Sequence, residues 1–151
     1  EMDKLAPTGS RILMVCGSGN KAGDAIHAAT FLHADRKIKF IFAKGLDHLK
    51  SEKLRTAYDS LHVKPDPVAN LDKDIGSCDL IVDALLGTGA KGEPSHDYAQ
   101  IIQAINRSGK PILSIDMPSG IGTGIHVNPQ VTVTMQAPKE GMNAKNSGSI
   151  I

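Results

Sequence analysis

At 151 residues the chain has room for one domain, able to bury roughly two thirds of the surface its unfolded form exposes. Lysine and arginine number 17 against 16 aspartates and glutamates, a net charge of +1, which excludes strong electrostatic capture of nucleic acid or of an anionic membrane. No apolar stretch approaches the roughly 18 residues that cross a bilayer, and two tyrosines, three phenylalanines and no tryptophan make no stacking platform for single-stranded nucleic acid.

Apolar periodicity alternates between two kinds of element. Arg11–Cys16 reads as a strand, its continuous apolar run from Ile12 suiting burial on both faces. From Gly23 to Leu32, Ile26, Ala29 and Phe31/Leu32 form a helical apolar stripe. Lys37–Phe42 is a second strand, with Ile38, Phe40 and Phe42 alternating. Ser51 is placed to cap a helix running to about Leu61, and Pro65-Asp66-Pro67 leaves only a short extended piece near Val63 or Val68. Asp79–Ala84 is the next strand, followed by a glycine-rich loop. A helix then starts at Ser95 or His96 and carries Tyr98, Ile101, Ile102 and Ile105. Gly109 and Pro111 close it in the expected order, and Pro111–Asp116 and Val131–Met135 complete the strands. Strands alternating with helices predict a three-layer Rossmann-like α/β sandwich with a mostly parallel central sheet, one domain over residues 1–151. Cys16 and Cys78 lack metal or redox spacing and read as reduced core thiols. With no hydrophobic leader in residues 1–7, the expected location is cytoplasmic.

Three strand ends carry glycine and acid together: Gly17–Asp24, Asp83–Gly89 and Asp116–Gly120. Ligands of open parallel sheets bind beyond the carboxyl ends of the strands, where strand order reverses, so these turns are expected around one crevice. The spacing Gly17-x-Gly19-x-x-Ala22 approaches a dinucleotide fingerprint, with a strand before and a helix after. Its glycines allow close backbone approach, and a helix N-terminus favours an anion by ~0.3–1 kcal/mol. The acid that a hydride-transfer site places after the second strand is absent, since Phe42-Ala43-Lys44-Gly45 stands there, and no redox cofactor is expected. Lys44 either faces a phosphate or is a solvated charge. Asp24 either serves a ligand or balances the dipole of a first helical turn. The run Gly87–Gly92 lacks Walker spacing, which disfavours nucleotide hydrolysis. Asp83 ends an apolar run, where a carboxylate needs a cation or a hydrogen-bond donor. Pro118 fixes the chain so that Ser119 turns back toward Asp116. No histidine or lysine has nucleophile-motif spacing with Ser119, and the six histidines show no metal pattern.

Together the turns resemble the YjeF N-terminal domain family, the NAD(P)HX epimerases. That family shows a run like CGxGNNGGDG, then VDALFGTG, DIPSG and APK. Residues 16–25, 82–89, 116–120 and 137–139 occupy those places here, in the same order, over about residues 11–140. The resemblance implies interconversion of the R and S forms of hydrated NADH or NADPH, a repair of damaged cofactor. By motif position Asn20, Lys21, Ala22, Gly23 and Asp24 would contact the hydrated dinucleotide, as would Gly87, Thr88, Gly89, Ala90, Lys91, Gly92 and Glu93. Asp116 falls on the family's substrate-binding and acid–base aspartate, and Asp83 and Ser119 fall on ligands of a potassium ion. A homodimer is compatible with the resemblance, and the chain stands short of the family's N-terminal helices and part of its C-terminal end. Two departures stand out. Ala22 replaces a glycine, and Lys21 replaces an asparagine that ligates potassium. An ammonium has no lone pair for a metal, but it can occupy the cation position itself and pair with Asp83. Potassium and its replacement by Lys21 are both open at this level. The alternative function is a non-catalytic Rossmann-like nucleotide-binding or scaffold domain of the same family.

Overall fold

The structure, a computed structural model, describes residues 2–151. In chain order the elements are α1 (Met2–Leu5), β1 (Arg11–Cys16), α2 (Asn20–Leu32), β2 (Lys37–Phe42), α3 (Glu52–Asp59), α4 (Leu71–Ser77), β3 (Leu80–Ala84), α5 (His96–Arg107), β4 (Ile112–Ile115), β5 (Val131–Val133), α6 (Ala144–Ser147) and β6 (Ser149–Ile150). All six strands lie in one sheet, ordered β2-β1-β3-β4-β5-β6, and every pairing is parallel. From β1 the chain moves outward to β2, then returns to the other side of β1 for β3. The strand order therefore reverses between β1 and β3, beside the first two glycine turns.

Side-chain alternation along each strand divides the core into two layers. Ile12, Met14 and Cys16 of β1 pack with Ala22, Ala25, Ile26 and Ala29 of α2 and with Tyr58 of α3. Leu13 and Val15 point the other way, against Leu71 and Ile75 of α4 and Ile101, Ile102 and Ile105 of α5. The alternating aromatics of β2 meet Tyr58 edge to face, with centroid distances of 5.1 Å to Phe40 and 5.2 Å to Phe42. Such pairs add ~0.5–1.5 kcal/mol beyond area burial. Cys16 and Cys78 are buried and free, and burial pushes the Cys16 thiol well above its ordinary range.

The structure corrects several expected boundaries. Helix α2 opens at Asn20 instead of Gly23, because the Gly23 N–H already bonds back to the Gly19 carbonyl at 3.3 Å. Phe31, expected on the apolar stripe, is 83% exposed, whereas Ala22, Ala25, Ile26 and Ala29 make the buried face. Strand β4 stops at Ile115, so Asp116 lies just past the strand and not in it. Helices α1, α4 and α6 and strand β6 are too short or too mixed in composition to show a period; α4 has Leu71 and Ile75 as its only large apolar residues and contains Gly76. Among the described residues no helix is long and apolar enough to cross a membrane.

Candidate active site

Three turns meet beyond the carboxyl ends of β1, β3 and β4 around a crevice of about 400 Å³. Ser18, Gly19, Asn20, Lys21 and Asp24 line it from the first turn, the run 85–90 from the second and Asp116 from the third, together with Lys50 and Tyr98. Gly17 is what lets the first two turns touch. A Cβ there would stand 2.0 Å from the Leu85 carbonyl oxygen, and the Gly17 N–H donates to the Ala84 carbonyl at 2.9 Å. Gly120 does the same for the third turn, with φ 79 and a virtual Cβ 2.2 Å from the Ile125 oxygen.

A buried ion pair ties the turns together beneath the crevice. Asp83 is fully buried at the end of β3, and Lys21 at the start of α2 is 4% exposed. The Lys21 ammonium donates to Met117 O at 2.6 Å, Ser119 Oγ at 2.8 Å, Asp83 Oδ2 at 3.1 Å and Leu86 O at 3.3 Å. Asp83 also accepts from Ser114 Oγ at 2.7 Å, the Ser119 N–H at 2.9 Å, the Leu85 N–H at 3.2 Å and the Ser119 hydroxyl. Ser119 Oγ accepts from the Leu86 N–H at 2.9 Å. Burial pushes the Lys21 pKa down, and the Asp83 charge opposes it. Ser119 therefore turns toward Asp83, not toward Asp116 as the sequence suggests.

Asp116 sits above this pair in the left-handed region, φ 65, where aspartate is among the residues that enter most readily. Its N–H donates to Val133 O at 2.7 Å, and the next N–H folds back to Ile115 O at 2.8 Å, so the strand ends in a tight reversal that lifts the carboxylate into the crevice. Oδ1 accepts from the Met135 N–H at 3.0 Å and pairs with Lys139 Nζ at 2.6 Å. Lys139 is itself oriented by Met135 O at 2.7 Å and Ala137 O at 3.0 Å. Asp24 shares the crevice. Because α2 begins at Asn20, no acid lies in its first turn, which removes the dipole explanation for Asp24. Burial, and then the charge of Asp116, push the Asp24 pKa up, with His27 opposing.

Comparison with known proteins gives this geometry a lineage. The family model of the YjeF-related protein N-terminus matches residues 2–141. The chain belongs to the YjeF N-terminal family. It is 36% identical over 140 residues to the NAD(P)H-hydrate epimerase of Plasmodium knowlesi, covering 87% of this chain and 48% of that protein. The NAD(P)H-hydrate epimerase of Limosilactobacillus fermentum is 33% identical over 147 residues, covering 90% of this chain and 68% of that protein. The bifunctional NAD(P)H-hydrate repair enzyme Nnr of Hyperthermus butylicus is 32% identical over 94% of this chain and 29% of its own length. The chain thus spans about half, or less, of several curated relatives. Among solved structures, that of yeast ynu0 superposes with a TM-score of 0.73 at 19% identity, covering 94% of this chain and 65% of the other, which shows the shared fold.

Within this YjeF-type domain the expected site residues divide by position. Asn20, Lys21, Asp24, Gly87, Thr88, Gly89, Ala90 and Asp116 all line the crevice. Ala22 is fully buried in the α2 core, and Gly23 lies against Leu54, whose side chain a Cβ would meet at 2.9 Å. Both pack α2 onto its neighbours and do not face the crevice. Lys91, Gly92 and Glu93 lie outside the lining; Glu93 instead accepts from the Gly124 N–H at 2.9 Å. Lys44 pairs with Asp97 at 3.2 Å and lies 5.6 Å from the Tyr98 ring centroid. Sequence reasoning missed the roles of Lys139, Lys50 and Tyr98. Only Lys139 carried a local signal, as the lysine of the Ala137-Pro138-Lys139 run.

Proposed function

We propose that the domain interconverts the R and S forms of hydrated NADH or NADPH. The observation that carries the reading is the Asp116 carboxylate, turned into the crevice by its own left-handed backbone and held by Lys139, in a domain whose relatives are named NAD(P)H-hydrate epimerases. A dinucleotide bound here would place its phosphates toward the start of α2, where no side chain caps the helix and the dipole favours an anion, with Lys50 alongside.

The reaction moves a hydroxyl from one face of the reduced nicotinamide ring to the other without net oxidation. A proton joins the hydroxyl, and water leaves with the C–O electron pair as the ring-nitrogen lone pair forms an iminium. Water then adds to the opposite face; its oxygen forms the new C–O bond, its proton passes to a base, and the nitrogen recovers its lone pair. Asp24, whose pKa is raised by burial and by Asp116, suits the proton donor and Asp116 the base, and the proton passes back to Asp24 through solvent in the crevice both line. The negative Asp116 also stabilises the cationic intermediate electrostatically. The small-molecule substrate calls for neither nucleic acid nor membrane, and two buried free thiols fit a reducing, cytoplasmic setting. The test is R-to-S interconversion of hydrated NADH by the purified protein; adenine-dinucleotide binding with no turnover would replace this reading by a nucleotide-binding scaffold.

A further inference from the structure

The family resemblance implies potassium between Asp83 and Ser119, and the residues of this chain do not fit it. The space those groups enclose is filled by the Lys21 ammonium, within hydrogen-bond reach of Asp83 Oδ2, Ser119 Oγ and the Leu86 and Met117 carbonyl oxygens at 2.6–3.3 Å. All four oxygens act as acceptors toward it. The two carbonyls and the carboxylate have no proton to give, and the Ser119 hydroxyl proton has Asp83 and the Leu86 carbonyl as its acceptors. An ammonium meets these four acceptors with three N–H groups, one of them shared, whereas a neutral amine would offer two and turn its lone pair toward an acceptor. A second monovalent cation beside the ammonium would be repelled by its like charge.

We propose that Lys21 is a covalently attached counterpart of a monovalent cation: reaching in from the first turn, it fills an oxygen cage built by the second and third, so that the native protein takes no potassium there and loss of the ammonium opens the cage to it. The cage is more than a charge pair. Its ammonium joins the start of α2, the Leu86 carbonyl of the second turn and the Met117 carbonyl next to Asp116, so one side chain sets the relative position of the turns that form the crevice. The cage geometry stands whether or not the domain is an epimerase.

The test reads thermal unfolding, which is independent of turnover. Native protein and the variants Lys21→Asn and Lys21→Ala are melted in potassium chloride and in choline chloride of equal ionic strength, because choline is too large for the cage. The native melting temperature is expected to be the same in both salts. Lys21→Asn, which restores a neutral oxygen ligand, is expected to melt higher in potassium, by roughly 5–10 °C if the ion is present at about 100 times its dissociation constant. Native protein stabilised by potassium over choline overturns the proposal, as does a folded Lys21→Asn variant indifferent to it. Should both variants fail to fold, thallium(I) titration of the native protein still decides: thallium density or a bound-thallium resonance in the cage overturns the proposal, and its exclusion supports it.

Discussion

Replacing Asp83 with asparagine keeps the shape of the side chain and removes its charge. The amide would turn its NH2 toward the present Oδ1 position, since the Oδ2 position faces both the Lys21 ammonium and the Ser119 N–H. The oxygen then still accepts from Ser114, Ser119 and Lys21, but the NH2 confronts the Leu85 N–H at 3.2 Å. The larger loss is electrostatic, because a 4%-exposed ammonium keeps its burial cost and loses its counter-charge. Breaking one partner of a buried pair costs ~3–5 kcal/mol. For a protein of this size each kcal/mol moves the melting temperature by ~2–4 °C, so Asp83→Asn should melt roughly 6–20 °C lower. Adding Lys21→Met removes the stranded charge, so the double variant should melt above Asp83→Asn alone, a non-additivity diagnostic of direct coupling. Ser114→Ala, which removes one donor and orphans none, should cost only ~1 kcal/mol. Calorimetry at pH 7 is the assay. A loss for Asp83→Asn under about 3 °C, or a double variant less stable than either single one, would refute the account of the pair.

Asp116→Asn should fold and melt only slightly lower, since its oxygen can still accept from the Met135 N–H while the charge pairing with Lys139 is lost, whereas interconversion of hydrated NADH should fall ~100- to 10,000-fold in a turnover assay. Gly17→Ala should fail to fold or melt far lower, because its Cβ meets the Leu85 carbonyl at 2.0 Å, whereas Gly19→Ala meets nothing within 4 Å and should cost no more than about 1 kcal/mol as a weaker helix cap; paired melts separate the two. Arg11 holds the Asp79 carboxyl down to about 2 from 3.8, first by its side-chain hydrogen bond and then by its backbone N–H. A folded pKa below the unfolded value contributes stability above the unfolded one, lost as pH falls through the folded one. The melting-temperature gap between the native protein and Asp79→Asn should therefore be full at pH 6 and close between about pH 4 and pH 2; a gap that persists at about pH 2 would show that the ion pair is not its source. Adenine dinucleotides should shift backbone resonances of residues 17–24 and 87–90, and perturbations confined to the opposite edge of the sheet would move the binding site.

Local sequence carried the order of layers and the location of the crevice. Continuous apolar runs in β1 and β3 and the alternation of β2 reflect which faces must leave water, and each glycine turn is written at the end of its own strand. The same local information placed Asp83, Asp116 and Lys21 near one another through the rule for parallel sheets. Tertiary structure decided what those residues do to each other. Lys21 and Asp83 are 62 positions apart, and Lys21 and the Met117 carbonyl 96 apart, so the family resemblance could suggest the pairing with Asp83 but no local pattern could show that one ammonium from the first turn closes a cage made by the other two. Nor could spacing reveal that Ser119 serves Asp83 instead of Asp116, that Ala22 and Gly23 face the core instead of the crevice, or that Lys139 returns to hold the Asp116 carboxylate. Periodicity reports which side of an element meets water; the partner of a buried charge depends on how separate elements pack, and that exists only once the sheet has assembled.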